Sequence, residues 1–330
     1  SHAVVGGGYG NTANNYAGRL SGGVGNTASG DVASVGGGYQ NTASGNRSFV
    51  GGGVVNTANS YVATIGGGRN NVASGIGSFI GGGGNDGSNA SGNQAIGNAS
   101  SIAGGINNIA SGNWSAIGGG ITNTANNPYA TVGGGNSNTA SGNGAFVGGG
   151  GYALPFFGPP IPIVAGNQAT GNGATIGGGL GNIASGEGAT IGGGGFDGLA
   201  VGGNQASGNA STIGGGSGNN ATASNATIAG GLHNTASSNW ASVGGGGYNT
   251  ASGTYATIAG GSNNTADRTY SFAAGFRANA KHDGTFVWAD STNANLYSSG
   301  NDQFIARANG GFAFVAAATD FTPTIPPGVF

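Results

Sequence analysis

The chain has 330 residues, 80 of them glycine and 8 proline, with a formal net charge of −2 at pH 7. Glycine at that level without a period would mean low-complexity disorder, so periodicity decides whether the chain folds. Only 7 Lys or Arg stand against 9 Asp or Glu, which excludes the basic surface of a nucleic-acid binder; the lack of cysteine and methionine excludes disulfides and thiol chemistry and implies a chain without its initiator.

Ser1-His2 reads as a tag scar and carries no function. Behind it a phase sets in. Taking the first glycine of each triplet, or its equivalent, as a start, starts run from Gly6 to Ala274; 13 of the 16 intervals are 15 residues, two are 22 and one is 29. The residue before each start is β-branched in all but Leu20 and Ala273, and two residues earlier stands Ala, Ser or, once, Gly18. That alternation predicts a short strand entering each glycine turn. In the regular units the sixth residue is Asn (Asn41, Asn56, Asn71) and the eighth is Ala (Ala43, Ala58, Ala73), which predicts a second strand.

Two short strands and two turns per unit make one coil of a parallel β-solenoid, in which equivalent positions stack into ladders. Glycine and asparagine take positive φ cheaply and so suit the corners, and the Asn amides can bond from coil to coil. The expected fold is therefore all-β, a parallel solenoid of about 17 coils over residues 1–273, roughly 80 Å long at about 4.8 Å per coil. Its core of Ala, Ser, Val and Ile is thin against an ordering cost of about 1.5 kcal/mol per residue. Burial against identical chains would help, and a homotrimer is expected.

The long intervals share a fourth glycine, an insert and GNQA, with inserts at 85–91, 152–165 and 196–202. A fourth GGGG at 244 carries none. The middle insert is the most apolar stretch of the chain, and Tyr152, Phe156, Phe157, Pro159 and Pro160 either pack over a groove of the trimer or form an exposed contact site. Trp114 and Trp240 hold a variable position that Tyr16, Tyr61, Tyr129 and Tyr255 occupy or adjoin. This predicts an outward aromatic stripe for trimer packing or for glycan or protein contact.

From residue 274 to 318 the composition changes, and a small β cap is expected, with strands at 285–289, 303–308 and 311–316 and Asp283-Gly284 as a hairpin turn. A cap would close the open edge of the last coil. Residues 319–330 are proline-rich and expected to be an extended tail.

Catalytic chemistry finds few candidates. His282, Asp283, Asp290 and Ser291 form a local cluster, but a turn explains Asp283-Gly284. Asp86 and Asp197 are single carboxylates in turn sequences, too few for calcium; His2 and His233 are isolated. The GxG patterns lack the lysine of a phosphate loop. No cofactor, no metal, no enzymatic activity and no membrane helix are expected.

YVATIGGGRNNVASG at 61–75 and YATIAGGSNNTADRT at 255–269 resemble the head repeats of trimeric autotransporter adhesins, the YadA-like left-handed parallel β-roll. The likeness runs from residue 3 to about 275, with a period one residue longer than the family's usual one and no neck, coiled-coil stalk or membrane anchor in these residues. It implies a trimeric, extracellular head on a bacterial cell surface that binds host-cell, matrix or surface glycan and protein ligands. The segment from Ser271 to Ala316 resembles the cap that follows such repeats in bacterial and phage tail-fibre-like proteins, which gives a virion tail as the alternative location. A third reading, an ice-binding solenoid, rests on a rank of Thr12, Thr27, Thr42 and Thr57 that breaks at Val72, Ile109 and Ile183.

Overall fold

The computed structural model describes residues 2–84, 92–151, 166–196 and 202–312. Every regular element among them is a β-strand, and the chain divides into two compact units, residues 1–204 and 205–330.

In the first unit each regular coil contributes two strands of two residues. One ends on the β-branched row, as in Ser34–Val35, Phe49–Val50 and Thr64–Ile65, and the other holds the alanine row, as in Thr42–Ala43, Thr57–Ala58 and Val72–Ala73. Both pair in parallel with their counterparts one coil on, Val35 opposite Val50 and Ala43 opposite Ala58. Successive strand residues face opposite ways, so the second residue of each strand enters the core: Val50, Ile65, Ala43 and Ala58 are 0% exposed. The first residue faces outward and is free to vary. This is the expected parallel β-solenoid.

The Asn row is the third component of the core. Asn41 is wholly buried; its Nδ2 donates to the carbonyls of Gly37 in its own corner (2.9 Å) and Gly53 in the next (2.8 Å), and its Oδ1 accepts the backbone N–H of Asn56 (3.0 Å). One amide thus satisfies groups in two successive coils, where an unmet buried polar group would cost about 1–3 kcal/mol. The row repeats through Asn56 and Asn71 and, across the first long interval, through Asn93.

The corners differ from expectation in a way that matters for the surface. The Asn row does not carry the left-handed conformation. Two other columns do, one per corner, and they hold side chains of every kind: Gln40, Val55 and Thr122 at the first, Val32, Arg47, Val62, Trp114 and Tyr129 at the second, with φ between 52° and 61°. Left-handed backbone costs a non-glycine residue about 1–2 kcal/mol. A backward hydrogen bond offsets it: the N–H of Val32 reaches the Tyr16 carbonyl (2.8 Å) and that of Arg47 the Asp31 carbonyl (2.7 Å), while strand N–H groups such as Phe49 point forward, to Ala63 (2.9 Å). Glycine is obligatory elsewhere, at the third triplet position. Gly38 has φ +92°, and a Cβ there would strike the Gly53 carbonyl oxygen. A further difference is a third line of single parallel bridges after the triplet, Tyr9 to Val24 to Tyr39 to Val54 to Arg69.

The inserts themselves lie outside the described residues, apart from the flanking Phe196 and Gly202. Around the first two the ladder closes in register: Ala73 pairs with Ala95, and Ala140 with Ala169. The fourth glycine explains why the GGGG at 244 carries no insert. Gly84, Gly151 and Gly195 have φ of +99°, +89° and +97°, and a Cβ on each would hit the carbonyl of Arg69, Asn136 or Leu180. Gly247 has no such φ, and its nearest neighbour would be the Leu232 carbonyl oxygen at 3.7 Å, an ordinary contact. Three of these glycines redirect the chain; the fourth stands where a side chain would fit.

The second unit uses the same coil, with Ile213 opposite Ile228 and Ala236 opposite Ala251. Its strands then lengthen: Thr257–Ser262, Phe272–Phe276, Phe286–Ala289 and Phe304–Arg307. Here one expectation is corrected. Asp283-Gly284 is a turn but not a hairpin, because Phe272 pairs with Phe286 and Val287 with Ile305 in parallel. The N–H of Gly284 bonds back to the Thr269 carbonyl (3.0 Å) and that of Asp302 to the Asp283 carbonyl (2.8 Å), the same backward bond made at the second corner by Val32, Arg47 and Val62. The strands expected at 285–289 and 303–308 are present as further solenoid rungs. Gly311 and Phe312 are not in a strand, and residues 313–330, including the rest of the third expected strand and the tail, lie outside the described residues.

Candidate binding surface

With the interior occupied by Val, Ile, Ala and Asn rows, chemical variety lies outside it, at the outward strand positions, along the third bridge line and at the two left-handed columns with their flanking residues. The second column carries the stacked Trp and Tyr rings. Its backbone aims successive side chains along one line one coil apart, a separation at which rings stack. In the first unit Trp114 and Tyr129 stack at 5.1 Å with planes 7° apart. In the second unit Trp240, Tyr255 and Tyr270 form a run of three, at 5.1 and 5.2 Å and with planes 10° and 8° apart. All five rings are exposed, so the expected stripe is present for Trp114 and Trp240. Tyr16 and Tyr61 sit one position before the column; Tyr61 accepts a hydrogen bond from Arg47 (2.9 Å), whose guanidinium also lies 5.7 Å from its ring centroid.

Tyr270 was not singled out by sequence, though its 15-residue spacing from Tyr255 is the signal that finds it. The contact residues Tyr152, Phe156, Phe157, Pro159 and Pro160 fall outside the described residues.

A polar groove of about 470 Å³ lies in the second unit, among Ser252, Thr254, Asp267, Arg268, Lys281 and Asp283. Thr254 and Asp283 directly precede Tyr255 and Gly284 of the aromatic column, so groove and ring stack share one corner. Lys281 pairs with Asp267 at 3.4 Å on the open surface, and the Asp283 carboxylate accepts the Thr269 N–H (3.0 Å).

The suspected catalytic cluster is dispersed by its bonds. His282 Nδ1 meets the Ser298 hydroxyl (2.8 Å). Asp290 belongs to a different group: its Oδ1 accepts Arg307 Nε–H (2.8 Å) and its Oδ2 the Asn309 N–H (2.8 Å), while the Arg307 guanidinium reaches the carbonyls of Ala294 and Thr292. The Arg307 hydrogen bond, then that of Asn309, holds the Asp290 carboxyl well below the usual carboxylate range. This is a clamp across the loop before the last coil. Of the lone histidines, His2 meets Tyr16 edge-on and His233 lies 5.4 Å from Tyr248.

The middle glycine of the triplet varies from coil to coil. Gly37 and Gly119 have φ of +147° and +149°, which favours glycine, whereas at Gly134 no such φ is imposed and a Cβ would meet nothing within 4 Å; contacts within the chain give no reason for glycine at that position. The outward threonine rank is interrupted at Val72, Gln94 and Ile109.

No protein-family model matches the chain, and no curated protein matches its sequence.

Proposed function

We propose that the chain is a non-enzymatic extracellular fibre or adhesin head, assembled as a homotrimer, that attaches to surfaces through side chains displayed on its coils. The observation that carries this reading is the contrast between inside and outside. Interior rows repeat almost without change, while the second left-handed column accepts Ala, Val, Arg, Trp and Tyr alike. A scaffold that satisfies its own backbone and presents aromatic rings at a fixed spacing is suited to contact, since exposed Trp and Tyr give large contact area at low entropy cost. The likeness of its repeats to trimeric autotransporter adhesin heads agrees with this and gives the bacterial cell surface as the location.

The unexplained middle glycine supports self-association. Glycine with open space on its own chain is expected where another backbone approaches closely, and Gly134, with Gly149 one coil on, would bring a second copy against the coils. The longer C-terminal rungs, which resemble tail-fibre caps, favour a phage-type tail fibre as the second reading. The adhesive role is tested with beads coated in the purified chain and settled on cultured cells and on matrix-coated plates. Several-fold more adherence than albumin-coated beads is expected, reduced by joint Trp114→Ala and Trp240→Ala substitution; adherence equal to albumin rejects it.

A further inference from the structure

We propose that the open end of the Trp240, Tyr255 and Tyr270 stack, with the polar groove beside it, is a binding site for a neutral pyranose oligosaccharide running along the coils. This rests on the adhesin reading and gives it a ligand class and a place. In the stack, Tyr255 is covered on both faces by its neighbours at 5.1 and 5.2 Å. Tyr270 is covered on one face only, because the next member of the column is Gly284; it is 66% exposed against 44% for Tyr255. Among the described residues no ring meets its second face.

The rung beyond Tyr270 has no side chain of its own. The residue after Gly284 in the column is Asp302, which has the same left-handed backbone (φ 57°), and its Oδ1 leans into that rung, where a Cβ on Gly284 would strike it. A ring stacked on the open face of Tyr270 would thus meet the Asp302 carboxylate at its edge. That pairing suits a sugar, whose C–H face stacks on an aromatic ring and whose hydroxyls donate to a carboxylate.

The groove continues the same chemistry. It follows the corner through successive coils, and coil spacing is about 4.8 Å, close to the length of one pyranose residue, so each coil can address one sugar. Its lining offers hydroxyls from Ser252 and Thr254 and both signs of charge, Asp267 and Asp283 against Arg268 and Lys281. With Asp302 counted, three carboxylates stand against Arg268 and Lys281, which favours a neutral polyhydroxyl chain over a polyanion. The stack in the first unit also ends on a glycine, Gly144 after Tyr129, but the next residue of the column there is Gly173 rather than an aspartate.

The test is a printed array of neutral and anionic oligosaccharides probed with the intact chain, followed by titration of the best neutral trisaccharide. Two variants read the site. Tyr270→Ala removes the stacking face. Gly284→Tyr fills the vacant rung with the residue that the column already accepts at Tyr129, Tyr255 and Tyr270, the Asp302 side chain swinging aside. Both are expected to weaken neutral-glycan binding at least tenfold without changing the circular dichroism spectrum, and Tyr129→Ala to leave it within twofold. No neutral glycan bound by the wild-type chain, binding confined to anionic glycans, or neutral binding unmoved by both variants would each overturn the proposal. Bead adherence measured in parallel separates these outcomes from failure of the adhesin reading itself.

Discussion

The regular coils around Asn41, Asn56 and Asn71 and the last coils after Asn264 solve one problem in two ways. In the regular coils the strands are two residues long and most of the order resides in the corners, where a buried amide bonds to the coil before and the coil after. The Asn row ends when the backbone N–H of Ala278 takes the Asn264 Oδ1 (2.9 Å). Around and beyond that point the strands on the Phe272 side reach four or five residues. Phe272, Phe286 and Phe304 stack at 4.5 and 4.7 Å, and Arg307 with Asp290 ties the final loop. The buried amide keeps a corner in register even where an insert enters it, Asn93 bonding to Asn71 across 22 residues. The last rungs, whose spacing changes from Phe272 opposite Phe286 to Phe286 opposite Phe304, rely instead on longer strands and an ion pair.

Substitutions in matched positions break this contrast most sharply. Gly38→Ala combines an unfavourable φ with a clash against the Gly53 carbonyl and is expected to cost about 3–4 kcal/mol by chemical denaturation; Gly247→Ala, which meets only an ordinary contact, is expected to change stability by less than about 0.5 kcal/mol. Next comes the amide row. Asn56→Ala strands the Asn71 N–H in the core and is expected to cost about 2–3 kcal/mol. Asn279→Ala, whose amide bonds only to the Arg277 carbonyl two residues away, is expected to cost under about 1 kcal/mol.

The clamp gives a pH signature confined to the C-terminal coils. Because the folded Asp290 carboxyl titrates below its unfolded value, its contribution is complete above about pH 4 and is lost as the pH falls further. Hydrogen-exchange protection at Phe304–Arg307 should therefore hold from pH 7 to about 5 and decline below about 4, and Asp290→Asn should lower it already at pH 7 and flatten the acid decline. Equal acid loss in the variant would show that other groups set the response. A small effect of opposite sign is expected at a left-handed corner: Val32→Gly relieves about 1–2 kcal/mol of backbone strain but adds about 0.5–1 kcal/mol of chain entropy. A net gain under about 1 kcal/mol in thermal melting is expected.

The core was legible in the sequence because a buried row has one chemical requirement repeated at one spacing, which is why Val50 and Ala58 could be assigned inward; Asn56 read as a corner residue, and its burial is seen only in the structure. The corners were not. A left-handed residue is recognised by glycine or asparagine, and the backward hydrogen bond that lets Val62 or Trp114 adopt φ near 55° is a property of the neighbouring coil. The same limit produced the hairpin at Asp283-Gly284: these residues favour a tight reversal wherever they stand, and only the register of Phe272 against Phe286 reveals that the chain goes on to another rung. The aromatic stripe was half legible, since Trp114 and Trp240 stood out while the stack ending at Tyr270 depends on backbone that sequence does not display. At Gly37 and Gly119 the triplet's middle glycine answers to backbone φ of +147° and +149°; why Gly134 stays glycine follows from neither sequence nor contacts within one chain.

The solution mass of the wild-type chain beside a Gly134→Leu variant, taken by light scattering at equal concentration, addresses that last point directly. A wild type at three times 31.0 kDa and a folded variant at the single-chain mass are expected if identical chains meet along this glycine row. A wild type at 31.0 kDa, or a trimer indifferent to leucine, would contradict it.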